Sequence, residues 1–339
     1  MRRVVLQSIG RVGFAELDRP AMGENDVTIK VRACGLCGTD LHIFTDPHAF
    51  GDPFAHPLGH EIVGEVVEVG PKVTNVQVGN RVVIDNATAC GVCRSCKNGN
   101  PGACTSIVNL LLEGRTVLQE YVVVPAQSVY KFEGLTFPEA ALAEPLTVAL
   151  EMLASAEVGL GQNVVVVGPG PIGLMAARVA LHMGARCVYV LARSGRPSRL
   201  KLAEKLGADV VLMDQVDLEQ YFTERAIKFD RALVTAPPAT INRIIPLMAF
   251  AGIITYIGFE FDGKEHVSLD LNNFHINKLQ LRATHAIPNR FFPTALDLIQ
   301  QGVIKAEDFI SRTFPFEEVQ QAFAYAAQGD AVKTVVTLD

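Results

Sequence analysis

The chain has 339 residues, of which 49% are hydrophobic, so its length and composition suit two domains with substantial cores. The formal net charge of −6, without a basic stripe, argues against nucleic acid as a partner. The first residues lack a signal-peptide pattern, and the most apolar stretch, 164–183, is broken by glycines, prolines and Arg178. These features predict a cytoplasmic protein without a membrane partner.

The first 135 or so residues have the pattern of β-structure. Residues 27–32, 61–70 and 121–124 are rich in β-branched residues and partly alternate apolar with polar side chains, and Gly and Pro separate such segments at short intervals. This pattern predicts a Greek-key barrel. Apolar residues then recur at helical spacing over 137–158, which predicts one connecting helix.

From Asn163 onwards, predicted strands and helices alternate along the chain. This alternation is typical of a doubly wound parallel sheet and places the protein in the α/β class. The strands are predicted at 163–167, 187–191, 231–235, 252–257 and 279–283, the helices at 172–183 and 199–206, and a final helix and strand at 294–301 and 334–338.

Four of the seven cysteines lie in one short loop with the spacing C-x2-C-x2-C-x7-C. Four thiolates satisfy the tetrahedral preference of zinc and leave no open position, which predicts a structural zinc site. The ligands are Cys90, Cys93, Cys96 and Cys104. Cys187 lies in an apolar strand, where an inert core thiol is expected.

A dinucleotide fingerprint, G-x-G-x-x-G, follows the apolar strand 163–167 and opens a helix. Gly168 allows a tight turn, Gly170 lets the backbone approach a pyrophosphate, and Gly173 permits close helix–strand packing. Pro171 and Ile172 begin the helix, whose N-terminus favours phosphate. A glycine-rich turn in another doubly wound fold, such as one that binds adenosylmethionine, is the alternative.

The segment 191–199, after the second strand of this unit, predicts which coenzyme binds. An acidic residue there would accept the ribose hydroxyls of NAD, but the segment has none. It has Arg193, Arg196 and Arg199, and arginine pairs bidentately with phosphate, which favours the 2′-phosphate of NADP. The alternative is that the arginines are solvated and Ser194 binds a ribose hydroxyl of NAD.

A second set of metal-binding residue types lies near the start of the chain. Cys37, His60 and Glu61 offer a thiolate, an imidazole and a carboxylate, and three protein ligands leave a fourth position for substrate. Glu144 lies on an otherwise apolar helix, where an unpaired buried acid would be costly, so a metal or a buried donor is expected beside it.

These motifs, in this order, resemble the zinc-containing medium-chain dehydrogenase/reductase superfamily, in its polyol (sorbitol) and threonine dehydrogenase branch. The motifs are Cys37-Gly-Thr-Asp, Gly59-His-Glu-Ile-Val-Gly, the 90–104 loop, Glu144-Pro-Leu and the 168–173 fingerprint. The resemblance implies a GroES-like β-rich catalytic domain (1–146), a Rossmann domain (147–285) and a C-terminal return to the catalytic domain (286–339).

The resemblance also implies the roles of the site residues. Cys37 and His60 match the catalytic zinc ligands, and either Glu61 or Glu144 matches the third, so each chain would hold two zinc ions. The catalytic zinc would stabilise the substrate alkoxide, while Thr39 and His42 form a proton relay. Asp40 is expected to be a structural cap or an ion-pair partner rather than a catalyst. Thr235 and Ile257, which follow later sheet strands, are expected at the coenzyme.

The implied activity is oxidation of a secondary alcohol, polyol or sugar-derived, with NADP favoured over NAD, by a homotetramer or dimer. The alternatives are a threonine-type, sugar-phosphate or simple secondary-alcohol dehydrogenase, a zinc-free quinone reductase relative, or a retired dehydrogenase that only binds NADP. The family's polyol-binding arginine corresponds to Ala286, or to Arg290 if the alignment slips, and His285 could line the pocket instead. Phe44, Phe50 and Phe54 are expected either as a pocket wall or as packing.

Overall fold

The computed structural model describes residues 1–46, 58–260 and 265–339, which form two compact units. One unit comprises Met1–Thr147 and Ala286–Asp339, and the other comprises Val148–His285. The strands are β1 (Arg2–Ser8), β2 (Arg11–Glu16), β3 (Asp26–Gly35), β4 (Glu61–Val69), β5 (Arg81–Ile84), β6 (Ala87–Thr88), β7 (Val108–Asn109), β8 (Tyr121–Pro125), β9 (Val129–Lys131), β10 (Asn163–Val167), β11 (Cys187–Ala192), β12 (Asp209–Leu212), β13 (Phe229–Val234), β14 (Met248–Tyr256), β15 (Gln280–Ala283), β16 (Ile310–Pro315) and β17 (Lys333–Thr337).

The helices are short, and most lie in the second half of the chain. They are α1 (Gly38–Thr45), α2 (Arg94–Lys97), α3 (Phe137–Ala140), α4 (Ala143–Ser155), α5 (Pro171–His182), α6 (Pro197–Lys205), α7 (Leu218–Glu224), α8 (Ile241–Ile244), α9 (Leu271–Asn277), α10 (Phe292–Gln300), α11 (Ala306–Phe309) and α12 (Val319–Ala327). Among the described residues, none of these helices combines the length and apolar character needed to cross a membrane.

The first unit is built on a seven-stranded sheet in the order β16-β17-β3-β4-β5-β9, with β8 paired to β3. Its pairs are antiparallel apart from β16 and β17. Fully buried side chains of the central strands, such as Ile29 and Val66, form its core, together with Phe323 of α12. The predicted β-rich domain is confirmed, and β17, near the C-terminus, pairs with β3, near the N-terminus.

The second unit contains a six-stranded parallel sheet in the order β12-β11-β10-β13-β14-β15. Strand β10 is central, and four consecutive valines from Val164 to Val167 are completely buried because the strand is covered on both faces. This is the doubly wound order of a Rossmann fold, as predicted. The sequence pattern missed β12, whose four residues are too few to establish a periodicity.

The single helix predicted over 137–158 is wrong. Helix α3 ends at Ala140 and α4 begins at Ala143. Pro145 explains the break, because a proline in the interior of a continuous helix has no N–H to donate and clashes with the carbonyl of the preceding turn. Restarting at Ala143 places Pro145 in the first turn of α4, where the missing N–H has no intrahelical partner to lose.

Candidate metal centres and coenzyme site

The four cysteines of the 90–104 loop converge on one point. Their Sγ atoms all lie within 4.8 Å of one another, and the Cys93–Cys96, Cys104–Cys90 and Cys93–Cys104 separations are 3.5, 3.5 and 3.9 Å. A tetrahedral zinc ion with Zn–S bonds of about 2.3 Å requires S···S distances of about 3.8 Å. The loop therefore fits a closed zinc site, and no disulfide links its cysteines.

Backbone amides of the same loop stabilise thiolates. The N–H groups of Cys90 and Ser106 donate to Cys104 Sγ, and the N–H of Cys93 donates to Cys90 Sγ. Such bonds favour the charged form of the sulfur. Hydrogen bonds from backbone N–H groups, first that of Cys96, lower the pKa of Cys93 to about 5. The loop thus favours the thiolate at Cys93 and Cys104, whereas burial and the neighbouring Cys93 raise the pKa of Cys96 to about 12 without a metal.

A second group of ligands forms where α1 and β4 begin. One ligand atom from each of Cys37, His60 and Glu61 lies within 4.8 Å of the others, and His60 and Glu61 are buried. Glu61 Oε2 is buried and has no hydrogen-bond partner among the described residues. Sulfur, nitrogen and oxygen donors in this number suit zinc with an open fourth position. The residues present therefore fit the expected catalytic metal.

Asp40 holds this group together. Its two carboxylate oxygens accept hydrogen bonds from the backbone N–H groups of Gly59 (2.8 Å) and Cys37 (2.7 Å), and Oδ1 lies 3.7 Å from His60 Nδ1. Burial opposes the charged imidazole, but the charges of Asp40 and Cys37 outweigh it and raise the pKa of His60 well above its ordinary value. Asp40 is therefore a structural cap, and it also lies close to the His60 imidazole.

Lys333, which no sequence motif indicated, is the ion-pair partner of Glu61. Its Nζ donates to Glu61 Oε1 at 2.5 Å and to the carbonyl of Leu36 at 3.1 Å. Burial disfavours the ammonium, but the charges of Glu61 and Cys37 outweigh it and raise the pKa of Lys333. A lysine that opens an apolar strand was the only signal in the sequence, and it is a weak one because strands often begin with a solvated charge.

Gly35 makes room for the Glu61 carboxylate. The two residues are cross-strand partners on β3 and β4. A Cβ at position 35 would overlap Glu61 Oε2, so any larger residue there would displace the carboxylate. Nothing local in the sequence distinguishes this glycine from the other glycines of the β-rich domain, so its role was not predictable.

Glu144 lies outside the group of three ligands, although it is electrostatically coupled to it. Burial raises the pKa of Glu144 to about 7, and the charges of His60 and Lys333 act in the opposite direction. Glu61 and Asp85 add to the rise. The structure therefore brings Glu61 to Cys37 and His60, and it leaves Glu144 as a neighbouring acid that the charge of a metal would ionise.

Thr39 and His42 lie on α1, directly after Cys37. Thr39 Oγ1 is 3.9 Å from Cys37 Sγ. His42 is one helical turn further along, and its side chain is exposed. Residues three apart on a helix share a face. The hydroxyl beside the ligand group and the exposed imidazole thus lie in the order that a proton path to solvent requires.

A buried polar segment follows β5, next to β4. Asn86 follows β5 by two residues and lies beyond the β4–β5 pairing, which ends at Val63 and Val83. Both side-chain amide atoms of Asn86 are buried without a hydrogen-bond partner among the described residues, and so is Asp85 Oδ2. Burial raises the pKa of Asp85 to about 6. Unpaired buried polar atoms are costly, so a polar group that is bound during function would compensate them.

The glycine-rich turn has the geometry expected for a pyrophosphate. Gly168 has φ of +105°, and a Cβ at Gly170, which caps α5, would meet no atom within 4 Å. A Cβ at Gly173 would overlap the carbonyl oxygen of Gly168. Thr235 Oγ1 donates to the carbonyls of Val167 (2.9 Å) and Gly168 (3.2 Å), so it supports the turn. The open space at Gly170 fits a coenzyme phosphate.

The loop after β11 has an acidic neighbour that no local sequence pattern predicted. Asp214, just beyond β12, accepts hydrogen bonds from the Ser194 backbone N–H (3.0 Å) and from Ser194 Oγ (2.5 Å). Arg193, Arg196 and Ser194 are exposed, whereas Arg199, in α6, is partly buried. The segment 191–199 itself has no acidic residue. The neighbouring strand supplies one, because parallel strands end at the same edge of the sheet.

The remaining candidates are less closely tied to these sites. Phe44 is buried and contacts the ring of Phe323 with centroids 5.3 Å apart, so it is packing. Phe50 and Phe54 lie outside the described residues.

The candidates for the substrate pocket differ in exposure. Ala286 is buried and His285 is exposed. The Arg290 guanidinium packs over Phe291 and lies beside Gly102 of the cysteine loop. Ile257 N–H donates to Val234, and Cys187 Sγ lies 3.2 Å from Asn163 Oδ1.

Comparison with known families agrees with this geometry. Residues 23–134 match the alcohol dehydrogenase GroES-like domain, and residues 171–301 match the zinc-binding dehydrogenase domain. L-threonine 3-dehydrogenase of Yersinia pestis is 30% identical over 338 residues, covering 97% of this chain and 96% of the relative. The chain belongs to the zinc-dependent alcohol dehydrogenase family. It is therefore an oxidoreductase that acts on a small molecule.

Solved structures show the same fold and two coenzymes. An alcohol dehydrogenase (rspB) from Escherichia coli CFT073, complexed with NADH, is 27% identical with a TM-score of 0.89 and covers 99% of both chains. A zinc-binding dehydrogenase from Sinorhizobium meliloti 1021, bound to NADP, is 27% identical with a TM-score of 0.86 and covers 99% of this chain and 98% of its own. Both coenzymes therefore occur among similar proteins.

Proposed function

We propose that the enzyme oxidises a polyol or sugar-derived secondary alcohol, with NADP preferred to NAD as hydride acceptor, at a zinc held by Cys37, His60 and Glu61. The convergence of these three donors beside Thr39 is the observation that carries the proposal. A zinc ion bound there supplies a Lewis acid that lowers the pKa of a substrate hydroxyl. A second zinc, in the cysteine loop, has a structural role, which gives two per chain.

The proton of the alcohol leaves through side chains of α1. Thr39 Oγ1 accepts it from the substrate hydroxyl and donates its own proton onwards, and His42 releases the proton to solvent. The contact of Thr39 with Cys37 places its hydroxyl beside the ligand group, and the exposure of His42 supports the outward end of this path. A bound nicotinamide would accept the carbinol hydrogen as hydride, so that proton and hydride would leave separately and the carbinol would become a carbonyl.

The buried amide of Asn86 supports a substrate with more than one polar group. Its buried and unpaired donor and acceptor atoms, in the segment that follows β5, suit a second hydroxyl on the substrate. A simple apolar alcohol would leave both amide atoms uncompensated, which is costly in a buried site. The unpaired Asn86 amide therefore favours a polyol or a sugar-derived alcohol over a simple secondary alcohol.

A threonine-type amino alcohol is the second candidate, because L-threonine 3-dehydrogenase is 30% identical over nearly the whole chain. Threonine also carries polar groups next to its carbinol carbon, so Asn86 serves either substrate. The family resemblance further suggests a homotetramer or dimer and a cytoplasmic location, and both stay predictions.

The test is reduced-nicotinamide formation by the zinc-loaded protein, with NAD and NADP side by side, against polyols, threonine, sugar phosphates and simple secondary alcohols. Turnover of a polyol or sugar-derived alcohol is expected, and Cys37→Ser should abolish it while coenzyme binding survives. Exclusive turnover of threonine would replace the first candidate by the second. Turnover that persists in Cys37→Ser would contradict the catalytic zinc.

A further inference from the structure

The contact between Ser194 and Asp214 occupies the place where the coenzyme ribose is read. Ser194 follows β11 by two residues, and the N–H of Met213 donates to the carbonyl of Ala192. That bond extends the β11–β12 pairing beyond the strands and brings Asp214 to Ser194. In a Rossmann fold, the group that binds at this position is the 2′ substituent of the adenosine ribose.

Asp214 is ionised and uses both polar groups of Ser194. The Ser194 N–H lies 3.0 and 3.2 Å from the two carboxylate oxygens, and the hydroxyl lies 2.5 Å from Oδ2. Hydrogen bonds from the Ser194 side chain and backbone lower the pKa of Asp214, and the charge of Arg193 adds to the effect. Asp214 therefore presents a full negative charge beside the arginine-rich segment that follows β11.

We propose that Asp214 is a specificity-determining residue of the coenzyme site, which limits binding of the 2′-phosphate of NADP and thereby lets NAD compete. A 2′-phosphate that bound the Ser194 donors would displace the carboxylate or lie against it. A 2′-hydroxyl carries no charge and can donate to the same carboxylate. The inference rests on the proposed coenzyme site. It adds that Asp214, which follows the neighbouring strand β12, weakens the preference for NADP over NAD.

The arginines and Asp214 then have opposite effects on the binding of the 2′-phosphate. Arg193 attracts the phosphate, and Asp214 offsets part of that attraction because both act at close range on the same anion. Replacing Asp214 by asparagine removes the charge and keeps an oxygen that accepts from Ser194. The two contributions can therefore be separated without dismantling the loop.

The experiment measures binding of two coenzyme fragments, 2′,5′-ADP and 5′-AMP, to the zinc-loaded full chain by calorimetry. Asp214→Asn should tighten 2′,5′-ADP by about tenfold, the change expected for removing one screened like charge, and should change 5′-AMP less than about twofold. Asp217→Asn is the control, because it removes the same charge from the exposed cap of α7. It should change neither fragment.

The outcomes distinguish an error about the role of Asp214 from an error about the coenzyme site. If Asp214→Asn leaves the ratio of the two affinities unchanged while Asp214→Ala weakens both fragments, Asp214 is only a structural support of the loop and the inference is wrong. If neither fragment binds the wild-type protein, the coenzyme site itself is wrong. These measurements need no substrate, so they do not depend on which alcohol the enzyme oxidises.

Discussion

Lys333 Nζ and Glu61 Oε1 lie 2.5 Å apart, and at most 2% of either side chain is exposed. The pair joins β17 to the start of β4, and Glu61 is itself one of the proposed metal ligands. Two charges in so little solvent interact strongly only while both are present. Their mutual dependence has a measurable consequence for stability.

Replacing Lys333 by methionine should lower the free energy of unfolding by about 3–5 kcal/mol, because it leaves the Glu61 carboxylate buried without a counter-charge. Urea unfolding of the zinc-free protein measures this, because a bound zinc ion would itself give Glu61 a counter-charge. Lys72→Met is the control, since its pair with Glu24 has both side chains more than 60% exposed and should contribute less than about 1 kcal/mol. Equal losses in the two variants would contradict a structural role for the buried pair.

Metal content should distinguish the two cysteine sites. Wild-type protein should carry about two zinc ions per chain, and Cys37→Ser and Cys93→Ser about one each. We expect Cys93→Ser to lower the unfolding midpoint, whereas Cys37→Ser lowers turnover first. Elemental analysis and thermal unfolding measure both effects, with Cys187→Ser as a control outside either group. A Cys93→Ser protein with both zinc ions would refute the structural site.

The hydroxyl of Thr39 should matter more than its shape. Thr39→Val keeps the volume but removes the proton path, so turnover should fall by about 10²–10⁴-fold, whereas Thr39→Ser should retain most activity. His42→Ala should reduce turnover less, and added imidazole should restore part of the loss. His266→Ala, at a side chain that is 84% exposed, serves as control. Full activity in Thr39→Val would remove this hydroxyl from the mechanism.

Asp85 should make stability depend on pH. Burial raises its pKa to about 6, so the folded protein binds the proton more tightly than the unfolded chain does. Its contribution is present at low pH and is lost as the pH rises through 6. As the pH rises from about 4.5 to about 7.5, the free energy of unfolding of Asp85→Asn should increase by about 2 kcal/mol relative to that of the wild type.

Urea unfolding at the two pH values tests this prediction. Asp209→Asn provides the comparison, because Asp209 is exposed and begins the short strand β12. If the Asp85 variant shows the same pH dependence as wild type, the carboxyl does not hold its proton in the folded protein.

Local patterns in the sequence predicted most of the candidate site. The cysteine loop and the glycine-rich turn each lie within about fifteen residues, so spacing alone indicated their chemistry. Strands β3, β4 and β10 were predicted because they are long or continuously apolar. The ordered set of motifs then linked these pieces to one family.

The features that escaped prediction are contacts between distant segments. Lys333 is 272 positions from Glu61, and Asp214 is 20 positions from Ser194, beyond a strand too short to recognise. Only the register of β17 with β3, and of β12 with β11, brings these partners together. Charged residues without a motif carry no signal for such pairs, since most of them are solvated.

The unit that holds the metal ligands is interrupted by the whole coenzyme unit. The chain leaves it at Thr147 and returns at Ala286, and the side chain of Asn289, shortly after the return, is hydrogen-bonded to that of Thr147. Bringing β17 to β3 in an unfolded chain requires closing a very long loop, which slows folding. If Val148–His285 folds first, its ends tether the two flanking segments and shorten that loop. Refolding should therefore proceed in two phases, with dinucleotide affinity recovered before zinc is retained.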